Sequence, residues 1–76
     1  MPYIRIKAYP KDDAIKEKVA ARIHQVFLEE WGCPSEAISV SFEEIAPADW
    51  EKTVVIPEIQ ANADKMFILN GEQSRP

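Results

Sequence analysis

The sequence carries one cysteine, Cys33, one histidine, His24, and two glycines in 76 residues. A single cysteine excludes an internal disulfide. One Cys and one His leave no cluster with metal-ligand spacing. No apolar run approaches the length that spans a bilayer. Basic residues are outnumbered, nine Lys and Arg against thirteen Asp and Glu, for a formal net charge of -4. There is no basic run, which argues against a nucleic-acid partner, since that affinity rests on neutralised phosphates. The start lacks the charged and apolar regions of a secretory signal. A soluble, cytoplasmic protein without membrane contact is the expectation, and an unpaired Cys33 fits a reducing compartment.

What is present is a core-forming composition. Hydrophobic residues make up 46% of the chain, which argues against disorder. The length sets a single domain over residues 1–76. A chain this small buries only about 60% of the surface that its unfolded form exposes. With no disulfide and no metal, oligomerisation is the remaining route to stability.

Residues 3–9 alternate, with Ile4, Ile6 and Ala8 on one face and Tyr3, Arg5, Lys7 and Tyr9 on the other. That is the pattern of a half-buried strand, and Pro10 ends it. Asp12 or Asp13 is placed to cap a following helix. From Ala14 to Trp31 the apolar residues Ile15, Val19, Ile23, Val26, Phe27 and Trp31 form one stripe. Lys16, Lys18, Arg22, Glu29 and Glu30 lie mainly off it. Gly32 is placed to end the helix. His24 borders the stripe and reads as a helix-surface or dimer-contact residue. Residues 38–45 alternate again, Ile38, Val40 and Phe42 against Ser39, Ser41 and Glu43. Strand, helix and strand make a right-handed βαβ unit with parallel strands. Glu43 is expected across from Arg5 or Lys7. Residues 54–67 fit a helical period broken or started at Pro57. The tail, residues 70–76, reads as polar and loose.

Pro2 has its own chemistry. Loss of Met1 makes its nitrogen a secondary amine. An α-amino group titrates at about 8 in the open, and an apolar pocket lowers that value. An amine poised near neutrality is a good general base. Equally, proline at the first position of a strand is structurally harmless.

The residues in order resemble the 4-oxalocrotonate tautomerase family, in the form of its dimeric bacterial branch. The resemblance rests on Pro2-Tyr3-Ile4-Arg5-Ile6, a capped helix near Asp13, and Cys33-Pro34-x-x-x-Ile38-x-Val40-x-Phe42-x-Glu44-Ile45-x-Pro47-x-x-Trp50. It implies an α/β fold, a βαβ unit pairing into a homodimer. It also implies a cofactor-independent isomerase in which Pro2 moves a proton on a small keto or enol acid. Trp50 falls where that family has an aromatic pocket wall; a core or dimer-contact aromatic is the competing reading. Two arginines hold a dicarboxylate in the hydroxymuconate-type enzymes. Here Ser39 and the Lys11 turn stand at those positions, so a bidentate grip is lost. An aryl monocarboxylate is the expected substrate, with Lys11 near its carboxylate and Ser39 giving one hydrogen bond. The competing readings are a non-catalytic dimeric βαβ module, or a decarboxylase or hydratase of the same superfamily.

Overall fold

Strand β1, Tyr3–Ala8, ends one residue earlier than its alternation suggests, ahead of the Pro10 turn. In this computed structural model, which describes residues 1–74, β1 pairs in parallel with β2, Ser39–Glu44. The register sets Tyr3 opposite Ser39, Ile4 opposite Val40, Ile6 opposite Phe42 and Ala8 opposite Glu44. Period-two alternation therefore gives the pair one apolar face, carrying Ile4, Ile6, Val40 and Phe42. The other face is polar, with Tyr3, Arg5 and Lys7 beside Ser39, Ser41 and Glu43. Lys7 stands opposite Glu43, and the Glu43 carboxylate accepts a hydrogen bond from the Arg5 guanidinium.

Between the strands runs α1, Asp13–Val26, continued by a wider turn of π-helix over Phe27–Trp31. Asp12 is the cap: its Oδ1 accepts the Ile15 N–H at 2.9 Å. Gly32 closes the helix in the left-handed region, φ 73°, with its N–H on the Phe27 carbonyl at 3.2 Å. The helix packs on β2, as a parallel crossover requires. Its stripe is wider than the two strands it covers. Ile23 and Phe27 are half-buried, while Ile15, Val19, Val26 and Trp31 are exposed. Lys16 is a correction to the sequence reading. It falls in the row Lys16-Ala20-Ile23-Phe27, the half-buried side of the helix.

The chain divides into two compact units, the first being Met1–Ile45 and the second beginning at Ala46. In the second, Pro47–Asp49 makes a short 3-10 turn that leads through Trp50 into α2, Glu51–Gln60. This helix is wound as a π-helix and passes through Pro57 instead of breaking there. Proline removes a ladder donor and crowds the carbonyl one turn back, and the wider winding accommodates both. The sequence period suggested one helix over residues 54–67. Helix α2 instead starts earlier and stops at Gln60, and Met66 and Phe67 lie outside any helix. Ile68–Leu69 and Glu72–Gln73 then pair as an antiparallel hairpin, β3 and β4. Asn70 at φ 51° and Gly71 at φ 81° form its turn, the Asn-Gly pair that a two-residue hairpin favours. The expected loose tail is thus ordered through this hairpin, and Ser74 donates from its backbone to the Phe67 carbonyl at 2.9 Å. Arg75 and Pro76 lie outside the described residues.

Candidate active site

The two ends of the β1–β2 pair hold different candidate residues. At the starting end, the Pro2 carbonyl accepts the Ser39 N–H at 3.1 Å. Pro2 is half-buried, and Ser39 is exposed on the polar face beside Tyr3. The sequence places these two far apart; the parallel pairing brings their backbones into direct contact.

Lys11 is at the other end. The Ile45 N–H reaches the Ala8 carbonyl at 2.9 Å, and the Lys11 N–H reaches Glu44 Oε2 at 3.1 Å. A strand of this length spans roughly 20 Å at about 3.3 Å per residue. Within one protomer, Lys11 is therefore not beside Pro2. Trp50 belongs to the second unit, half-buried at the junction of the short turn and α2.

The Lys11 corner is rich in charge. Glu44 Oε2 also accepts from Lys16 Nζ at 2.7 Å, and Lys16 Nζ lies 3.2 Å from Asp13 Oδ1. The bond to Glu44, and then that to Asp13, holds the Lys16 amine above its ordinary value. Lys16, followed by the Lys11 N–H, holds the Glu44 carboxyl below its ordinary value. Both groups are thus charged at neutral pH. Sequence reasoning missed this pair, although a signal was present. Glu44 follows Val40 and Phe42 on the apolar parity of β2, and Lys16 sits in the half-buried row of α1. Opposite charges at two positions where apolar residues belong mark a pair that meets across the layer.

His24 also has a partner. Its Nε2 lies 3.0 Å from Ser35 Oγ, which ties the helix to the turn before β2. Among the described residues, no group of His, Cys, Asp and Glu is arranged to hold a metal ion.

A parallel strand pair crossed by one helix is the βαβ frame of tautomerase-type proteins. The family described as tautomerase enzyme matches residues 2–52, and the chain belongs to it. Similar curated proteins carry the same word in their names. Tautomerase PptA of Pectobacterium atrosepticum is 32% identical, over 87% of this chain and 90% of that protein. A PptA of an Enterobacter strain is 29% identical, over 93% and 96%. A probable tautomerase of Xylella fastidiosa is 28% identical, over 93% and 88%. Membership and these names support an activity of tautomerase type.

Proposed function

We propose that the chain is a cofactor-independent tautomerase acting on the enol of a 2-keto acid, an aryl monocarboxylate, with the Pro2 amine as base and then acid. With Met1 removed, the amine takes the enol O–H proton. The oxygen electron pair forms the C=O bond, and the C=C pair takes the proton back from the prolinium at carbon. The observation that supports this most is the Pro2–Ser39 backbone bond. It fixes residue 2 at the end of a strand pair, half-buried, where an amine can be held against a substrate. Ser39 supplies one hydrogen bond, Trp50 an aromatic surface for the ring, and Lys11 the charge for the carboxylate.

Pro2 and Lys11 stand at opposite ends of β1, so a site that uses both is shared between two copies. A twofold axis perpendicular to the strands sets one β1 antiparallel to the other and so brings the start of one near the end of its partner. The exposed Ile15, Val19 and Val26 of α1 and the unpaired outer edges of β1 and β2 are surfaces that such a partner would cover.

The test is complementation. Pro2→Ala and Lys11→Ala proteins are each assayed alone and then after co-refolding in equal amounts, with substrate below KM. A shared site leaves one intact site in each mixed dimer, so activity returns to about a quarter of wild type for random twofold pairing. Mixtures no more active than the average of the two variants would refute the shared site. Mass spectrometry of the active protein checks the loss of Met1; full activity with methionine retained would refute Pro2 as the base.

A further inference from the structure

The corner where β1 turns into α1 holds more charged groups than a turn needs. Asp12 uses its carboxylate on the helix N-terminus, accepting from Ile15. Asp13 has Lys16 as its partner. Glu44, the last residue of β2, accepts at one oxygen from both the Lys16 ammonium and the Lys11 main-chain N–H. Each carboxylate is therefore engaged by a group other than the Lys11 side chain. The backbone of Lys11, by contrast, is pinned to the second strand through Glu44.

We propose that Glu44 is a positioning residue for Lys11: it fixes the point from which the Lys11 ammonium extends toward the substrate carboxylate, while Lys16 occupies the Glu44 charge. This rests on the reading of Lys11 as the carboxylate-binding group. The physical reason is a competition. A carboxylate this close to the Lys11 backbone would, if unpaired, attract the Lys11 ammonium to itself and repel an incoming anion. The shorter contact from Lys16 takes up that charge. Glu44 then serves Lys11 as a hydrogen-bond acceptor only. Lysine is a point charge on a flexible stem, so a fixed origin is the main control that the fold has over where its charge lies.

The probe is the enol of phenylpyruvate, compared with the enol of its methyl ester, which has the same ring and no carboxylate charge. Steady-state kcat and KM are measured for wild type, Lys11→Ala, Glu44→Ala, Glu44→Gln and the Lys11→Ala/Glu44→Ala double variant. Lys11→Ala is expected to raise KM for the acid about tenfold, as loss of ground-state binding, with the ester unaffected. Glu44→Ala raises KM for the acid several-fold and spares the ester. Glu44→Gln recovers most of the loss, because an amide oxygen still accepts the Lys11 N–H. The double variant matches Lys11→Ala alone, since both changes act through one group.

An effect of Glu44→Ala that is equal for acid and ester, or that multiplies with Lys11→Ala, overturns the proposal and leaves Lys11 in place. So does a Glu44→Ala protein with unchanged kinetics. An unchanged acid KM in Lys11→Ala overturns the reading of Lys11 and this proposal with it. Should Glu44→Ala fail to fold, Lys16→Met gives the same decision. It keeps an apolar stem and frees the Glu44 charge. A raised KM for the acid only supports the proposal, and parity between acid and ester refutes it.

Discussion

The two ends of one short strand pair are held in different ways. At the Pro2 end, the Pro2 carbonyl accepts the Ser39 backbone N–H and the strand ladder begins with Tyr3 opposite Ser39. At the Lys11 end, Asp12, Asp13, Lys16 and Glu44 form a linked set of caps and ion pairs. A base that must gain and lose a proton is best placed away from fixed charges, which would bias its pKa. A group that receives an anion gains from being set among compensated charges. On the proposed reading, the strand keeps the two requirements roughly 20 Å apart, and pairing of two copies is what would bring them together again.

The sharpest way to break this contrast is Pro2→Ala. Loss of the positioned secondary amine is expected to lower kcat/KM on an aryl enol by about 10²–10⁴-fold, the range of a general acid–base catalyst. The Pro2 carbonyl remains available to Ser39, so the urea midpoint should not move. A large loss of stability would mean that the proline is structural, and would set the two ends on the same footing. At the charged end, Asp12→Ala removes the cap of α1 and should cost about 1 kcal/mol of stability. Its effect on kcat should be small. A kcat loss comparable to that of Pro2→Ala would show that the turn takes part in the chemistry beyond binding.

The first unit was largely legible because each of its signals has one physical meaning. Alternation at Ile4, Ile6 and Ala8 and at Val40 and Phe42 sets the faces, and a helix between two strands forces the parallel register seen at Tyr3–Ser39. The second unit was less so. Periodicity from Val55 to Phe67 reads as helical with a break or start at Pro57, yet a wide helix runs through Pro57 and alters the turn on which that period depends. The loose-tail reading passed over the Asn70-Gly71 pair, a dipeptide that favours hairpin turns, because the strands Ile68–Leu69 and Glu72–Gln73 are too short for any alternation to show. For the candidate site, the sequence offers residue types and no distances. That Pro2 meets Ser39 while Lys11 lies at the far end follows from pairing, which no local window contains. Glu44 stood out only as part of the motif, because its partner Lys16 lies 28 residues away and meets it only through packing.

A smaller effect is expected midway along the strand. Arg5 and Glu43 pair on the exposed polar face, and exposed pairs contribute at most about 1 kcal/mol. Arg5→Ala should therefore leave stability and kinetics nearly unchanged at both ends. A clear change in KM would bring the polar face of the sheet into the site.

The smallest effect is a flat line, and it bears on how any pH profile is read. Glu44 has its carboxyl lowered from 4.5 by Lys16 and the Lys11 N–H. Its contribution to stability is complete above 4.5 and is lost as pH falls through the lower folded value. Lys16 has its amine raised from 10.5 by Glu44 and Asp13. Its contribution is complete below 10.5 and is lost as pH rises through the higher folded value. Between about pH 5.5 and 9.5 neither group changes its proton count on unfolding, so the pair adds no slope to stability there. Urea midpoints of wild type and Glu44→Gln should therefore run parallel across that window and approach each other only outside it, on the acid side as Glu44 takes a proton and on the alkaline side as Lys16 loses one. If they run parallel, an inflection of kcat/KM near neutrality belongs to a group outside this pair, and one that disappears in Pro2→Ala supports the proposed role of the Pro2 amine. Converging midpoints at neutral pH would show that the charged end titrates there too, and the division of labour along the strand would fail.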